Sequence, residues 1–229
     1  MLTIILAESE LELIPNQIIF HPAVKSYAKQ RNKKPTGLIL DSSFHHSATK
    51  ELPEGNRRGR PDIVHIFLLN SLESILNKKG KLKIIIHTRN NEAIFIDSKT
   101  RIMRSYHRFI GLIEQLFEKK KIIAEQNILL ELKENISLEK IIENENHDFI
   151  VTFSENGKKV KLYDYLVNLK NKKIKNILCI IGGFPHGDFH FDIAKHSDDV
   201  VSIFKERLTA WSVTNELLTD FNNIFNLCS

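Results

Sequence analysis

Two kinds of apolar pattern alternate along the chain. Short unbroken runs bounded by polar, proline or glycine residues, namely TIIL at 3–6, GLIL at 37–40, FIVTF at 149–153, IKNILCII at 174–181 and VVSIF at 200–204, predict buried strands. Longer stretches with apolar residues three or four apart predict helices. From Pro61 to Leu76 the set Ile63, Val64, Phe67, Leu68, Leu72, Ile75 and Leu76 keeps that spacing, Pro61 suits the first helical position, and NKKG ends the run. LKIIIHT and EAIFID, parted by RNN, predict two strands around a tight turn. From about Ser105 the residues Phe109, Ile110, Ile113, Leu116 and Phe117 return to helical period and close on EKKK, where cations suit a helix C-terminus. VKLYDYLVNLKNKK (160–173) and LTAWSVTNELLTDFNNIF (208–225) predict two further helices. Residues 126–148 are acidic and lack either period, so they are expected to form an irregular connecting insertion. Strands and helices alternating at these lengths imply an α/β fold with a largely parallel sheet flanked by helices. Over 229 residues this is one domain, 1–229, large enough to bury its own core.

Composition narrows the function classes. With 42% hydrophobic and 27% charged residues and only 9 Gly and 6 Pro, the chain is neither disordered nor fibrous. Cys179 and Cys228 make no disulfide framework and no paired metal-ligand spacing, which fits a reducing, intracellular compartment. The opening residues meet Glu8 and Glu10 early, so no secretory leader is expected, and no apolar run approaches the roughly 20 residues of a membrane span. The net charge of +5 points to a polyanionic partner, provided the basic residues cluster.

They cluster twice. RRGRPD (57–62) crowds three arginines before a helix, where cations oppose the helix dipole unless something anionic compensates. Asp62 can fix one guanidinium and a phosphate or developing anion can meet the rest; the alternative is a solvated basic loop. In TRIMRSYHRF, Arg101, Arg104 and Arg108 stand at i, i+3 and i+7, on one face if the segment is helical, with Arg89, Tyr106 and His107 nearby. Arginine dominates here in a chain that elsewhere prefers lysine, and a planar guanidinium suits phosphate contacts and stacking on bases, although a solvent-facing stripe has the same spacing. The third candidate, IIGGFPHGDF (180–189), is a buried strand running into glycines at the carboxyl end of a parallel sheet, where such folds bind ligands; it is otherwise a plain tight turn. It matches neither GxGxxG nor a phosphate loop. His186, His190, Asp188 and Asp192 lack a third supporting cluster, so no metal is expected. His45 and His46 have no nucleophile motif beside them, and Ser42, Ser43 and Ser47 lack the hydrolase context.

Taken together, LDSSFHHSA (40–48), RRGRPDIVH (57–65), HTRN (87–90), TRIMRSYHRFIGLIEQLF (100–117), GGFPHGDF (182–189) and LTAW (208–211) resemble one family, the nucleolar essential protein family of SPOUT-class RNA methyltransferases. The resemblance runs from about residue 3 to 225 in one order. It implies an α/β knot, with a C-terminal trefoil knot whose backbone holds S-adenosyl-L-methionine, in a homodimer that N1-methylates a pseudouridine of small-subunit ribosomal RNA during ribosome biogenesis. It further implies cofactor contacts at Phe153, Gly182, Gly187, Val201, Ser202, Ile203, Phe204 and Leu208, and RNA contacts at Arg60, Arg101, Arg104 and Arg108, with Asp62 orienting Arg60 as the catalytic pair. No metal is required. Other ribosome assembly proteins are further candidate partners, and Trp211 and Leu217 are candidates for the dimer contact; the Lys, Ile and Asn bias suggests an AT-rich genome, and without the long extension that eukaryotic relatives tend to carry a cytoplasmic archaeal protein is expected. Two alternatives stand beside this reading: an assembly factor that binds ribosomal RNA through the same arginine face without catalysis, and a SPOUT enzyme acting on ribose or guanine of transfer RNA, for which knot motifs other than GGFPHGDF are expected.

Overall fold

The computed structural model describes residues 1–225; Cys228 lies outside them. In chain order the strands are β1 (Leu2–Ser9), β2 (Leu82–Thr88), β3 (Ala93–Ile96), β4 (Lys121–Ala124), β5 (Asn127–Lys133), β6 (Phe149–Lys159), β7 (Ile177–Gly182) and β8 (Asp199–Ser202). The α-helices are α1 (Pro22–Arg31), α2 (Ser42–Thr49), α3 (Pro61–Glu73), α4 (Ile75–Lys78), α5 (Tyr106–Lys119), α6 (Leu138–Asn144), α7 (Leu162–Asn171) and α8 (Ala210–Ile224). The strands make one sheet in the order β4-β5-β3-β2-β1-β7-β6-β8. β2, β1, β7, β6 and β8 run parallel, whereas β3, β5 and β4 are antiparallel.

The unbroken apolar runs are explained by burial on both sheet faces. In β1, Leu2, Ile4 and Leu6 face one core with residues of α3, α5, α7 and α8, while Ile5 and Ala7 face a second with Leu178, Ile180 and residues of α6. A smaller cluster joins Val24 and Ala28 of α1 to Leu38, Leu40 and Ala48.

Three expectations need correction. GLIL is extended but is no sheet strand: Leu38, Ile39 and Leu40 are buried, and their backbone meets the 12–14 loop in an isolated bridge, through Leu40 N–H to Glu12 C=O at 2.9 Å and Ile14 N–H to Leu38 C=O at 2.9 Å. Residues 126–148 are regular, holding β5 and α6; β5 pairs with β3, and Leu130 and Leu132 enter the core behind charged neighbours. The 61–76 helix breaks at Ser74, whose extended backbone ends α3 and whose hydroxyl caps α4 by accepting from Asn77 N–H.

Candidate cofactor cleft and arginine face

A cleft of about 280 Å³ opens at the carboxyl ends of β6, β7 and β8, walled on one side by the first turn of α8. Phe153, Gly182, Gly187, Val201, Ser202, Ile203, Phe204 and Leu208 all line it. The topology explains why: β7, β6 and β8 are adjacent and parallel, so their ends and the loops leaving them share one edge of the sheet. Gly187 holds φ +85°, in the left-handed region that favours glycine. The cleft is also lined by Ile181, Phe184, Glu155, Arg207 and Trp211, which were not among the expected cofactor contacts. Trp211, a candidate for the dimer contact, therefore belongs to this wall, and Leu217 is fully buried within the chain and cannot meet a second copy there.

Arg60 lines the cleft and also a neighbouring polar groove of about 600 Å³ with Ser42, Ser43, His46, Lys50, Asp62 and Tyr106. It stands immediately before α3, and Asp62 in the first turn of that helix receives it in a fork, Nε to Oδ1 at 2.8 Å and Nη2 to Oδ2 at 2.7 Å. Hydrogen bonding to Asp62 raises the Arg60 pKa, so the guanidinium stays charged. Across the groove the Tyr106 hydroxyl donates to Asp41 Oδ2 at 2.5 Å; burial first, then that carboxylate, raises the phenol pKa and keeps it protonated.

The other two arginines of RRGRPD do not face an external anion. Arg57 and Arg58 are buried, and their partners come from the end of β1: Arg57 meets Glu8 at 3.0 Å and Glu10 at 2.8 Å, and Arg58 makes a fork on Glu12 at 2.8 and 2.7 Å. Arg89 adds a contact to Glu10 at 2.5 Å. The signal was present in ESELE, three carboxylates at alternate positions ending an apolar strand, a pattern that a solvated segment does not need.

Arg101, Arg104 and Arg108 are exposed, but only Arg108 is helical, because α5 begins at Tyr106. The i, i+3, i+7 stripe is thus a loop-to-helix surface. Arg104 and Arg101 lie close enough to Glu73, at the far end of α3, to add to the lowering of its pKa that Lys78 mainly causes. The histidines and aspartates of the glycine turn engage separate partners: His190 faces Glu54 at 3.2 Å, Asp192 holds Lys195 at 2.8 Å, and Asp188 accepts from Asn156 at 2.9 Å. Among the described residues no group of three His, Cys, Asp or Glu is placed to hold a metal ion, and no helix is long and apolar enough to cross a membrane.

Comparison with known proteins agrees with this geometry. The chain is 46% identical over 223 residues to the ribosomal RNA small subunit methyltransferase Nep1 of Methanothrix thermoacetophila, covering 97% of this chain and 96% of the relative. It is 47% identical to the protein of that name from Thermococcus onnurineus, covering 97% and 99%. The crystal structure of Archaeoglobus fulgidus Nep1 bound to S-adenosylhomocysteine superposes with a TM-score of 0.85 at 35% identity, over 98% of both chains. The family described as EMG1/NEP1 methyltransferase matches residues 4–222, and the chain belongs to that family.

Proposed function

We propose that this protein is an S-adenosyl-L-methionine-dependent methyltransferase that methylates N1 of a pseudouridine in small-subunit ribosomal RNA. The observation that carries the proposal is the sharing of Arg60 between the cleft and the polar groove, which sets one carboxylate-held guanidinium where a methyl donor and an RNA base would meet. The cleft suits the donor. Its walls include Phe153, Ile181, Val201 and Leu208, and its two cationic side chains are each held by a carboxylate, Arg60 by Asp62 and Arg207 by Glu155. No free cation is left there to bind a phosphate, so a nucleoside bearing an amino-acid arm fits better than a nucleotide. When bound, the cofactor supplies a methyl group on a sulfonium and leaves as the neutral thioether.

The chain's own residues then orient, neutralise and exclude water. N1 of pseudouridine is an imide-like N–H, so negative charge spreads over the ring as its proton leaves. The Arg60 guanidinium, locked in place by Asp62, stabilises that charge without reorganising. With its raised pKa it is not itself the proton acceptor, so the N1 proton passes to the Asp62 carboxylate, to water or to the RNA as the N–CH3 bond forms and the S–CH3 bond breaks. Tyr106 presents a protonated hydroxyl to the same groove, and exposed Arg101, Arg104 and Arg108 offer guanidinium groups to RNA phosphates around a base turned out of its stack.

The same reading includes a trefoil knot, a homodimer and a cytoplasmic location. In support of the knot, the chain passes from β7 beyond β6 to β8 and returns as α8 against α3 and α7. At the rim of the cleft Phe204 is half exposed, which a second copy would cover.

Calorimetric titration with S-adenosylhomocysteine tests the cleft. A Cβ at Gly182 would sit 2.5 Å from the Phe184 ring, so Gly182→Val should abolish saturable binding while circular dichroism stays unchanged. Methyl transfer from labelled cofactor to pseudouridine-containing small-subunit RNA tests the reaction. A folded wild-type protein that binds the RNA but neither cofactor nor product, with RNA present or absent, would instead be a non-catalytic assembly factor.

A further inference from the structure

Two buried residues outside the cleft hold the turn that forms its floor. β1 does not end as a regular strand: its register against β2 shifts between Leu6 and Ser9, and Glu8 adopts φ +49°, which a non-glycine residue takes only at a cost. This conformation puts a carboxylate that is only 7% exposed beneath the segment after β7. There it accepts from His190 N–H at 3.0 Å and Phe191 N–H at 2.8 Å, and from Arg57 Nη2 at 3.0 Å. Arg57 reaches the other part of the same segment. Its Nη1 donates to the Asp188 carbonyl at 2.7 Å, and its guanidinium lies over the Phe184 ring, 3.8 Å from the centroid. Phe184 and Asp188 line the cleft, whereas neither Glu8 nor Arg57 does.

We infer that Glu8 and Arg57 are positioning residues for the cofactor, setting the shape of the 184–191 turn through one ring, one carbonyl and two amides. The inference rests on the reading of the cleft as a cofactor site. Its physical content is preorganisation: a turn with few backbone bonds of its own is fixed before binding, so the ligand need not order it. The buried charges are matched, because Glu10 retains Arg89 as well as Arg57, and the strain at Glu8 is offset by three donors to its carboxylate, His190 N–H, Phe191 N–H and Arg57 Nη2. Arg57 also belongs to the loop that carries Arg60, whose N–H donates to the Glu10 carbonyl at 2.9 Å. The cofactor turn and the catalytic arginine thus hang from Glu8 and Glu10, at and just beyond the end of β1.

The test uses the full chain with two conservative variants, Arg57→Lys, which keeps the charge but loses the stacking and the planar set of three contacts to Glu8, Glu10 and the Asp188 carbonyl, and Glu8→Gln, which keeps an acceptor but loses the charge. Two readouts are compared, S-adenosylhomocysteine affinity by calorimetry and amide hydrogen exchange of residues 184–191 in the free protein. The expected result is at least about a tenfold rise in Kd, faster exchange confined to this turn, and unchanged exchange in β1 and β7. A purely structural ion pair would loosen β1 and β7 together and leave the Kd of the folded fraction alone, which would overturn the inference. If Arg57→Lys does not fold, Glu8→Gln decides, and wild-type exchange together with wild-type affinity in that variant sinks the proposal. Should wild-type protein fail to bind the probe at all, the cofactor reading falls, while exchange at 184–191 still judges whether these residues fix the turn.

Discussion

At the scale of single residues, Arg60 and Asp62 give the sharpest expectation. Replacing Arg60 by Ala removes a charge aimed at the developing anion and should lower single-turnover methyl transfer by about 10²–10³-fold. S-adenosylhomocysteine affinity should change far less, because the apolar walls of the cleft remain. Asp62→Asn should give a smaller loss of rate, since the fork at 2.8 and 2.7 Å is broken but the guanidinium persists. Equal losses of rate and cofactor affinity in Arg60→Ala would assign the residue to binding alone. RRGRPD shows what was and was not legible in the sequence. That three arginines before a helix needed anions followed from electrostatics, and Asp62 was within reach in sequence. That Glu8, Glu10 and Glu12 would supply the others did not follow, because their partners lie about 46 to 49 positions away and only the packing of the 57–60 loop against residues 8–12 brings them together.

Among the elements, those with strong local period were legible and those made by tertiary pairing were not. α5 and α8 carry clear apolar faces, and β1, β2 and β7 are unbroken runs buried on both sides. β5, NILLELK, was not legible because near a sheet edge only one face is buried, here Leu130 and Leu132, and with the acidic residues that follow the segment looks like a solvated connector; GLIL looks like a strand because burial without a sheet partner leaves the same sequence. β8 is itself a test of how elements build the site. It is a four-residue edge strand that pairs in the sheet with β6, and it supplies Val201 and Ser202 to the cleft. Gly157 lies in the bulged part of β6 against it, where a Cβ would stand 2.6 Å from the Val201 carbonyl carbon and 2.7 Å from its nitrogen. Backbone cannot swing aside as a side chain can, so Gly157→Val should displace β8. The expected outcome is a rise in Kd for S-adenosylhomocysteine of about tenfold or more, with the thermal transition still cooperative; unchanged affinity would show that β8 tolerates the shift and does not shape the cleft.

For the molecule as a whole, stability should depend on pH through two histidines that the fold holds neutral. His45 is fully buried with Nδ1 accepting from Asp41 N–H at 3.1 Å, and His87 is buried with Nδ1 accepting from Glu8 N–H at 3.3 Å. A ring nitrogen that accepts an amide carries no proton, and burial pushes both pKa values below 6.5. In the unfolded chain both titrate near the ordinary value. As pH falls below about 6.5 the unfolded state therefore binds more protons, and stability falls by up to about 1.4 kcal/mol per pH unit for each histidine until the folded pKa is reached. Above about pH 7 their contribution is complete and flat. Glu92 acts in the opposite sense, because burial raises its pKa and the folded state then holds a proton that the unfolded chain releases, which destabilises it as pH rises from the ordinary carboxylate value. The two effects are separated by difference. Urea unfolding at pH 7.5, 6.5 and 5.5 should show a midpoint that drops toward acid in the wild type, and His87→Gln, which cannot charge, should drop less steeply. Parallel curves for the two proteins would mean that His87 charges as readily in the fold as out of it. Because His87 bonds to the amide of Glu8, protonating it also pulls at the end of β1 from which the cofactor turn and the Arg60 loop are hung, so cofactor affinity should weaken over the same acidic range and weaken less in the variant.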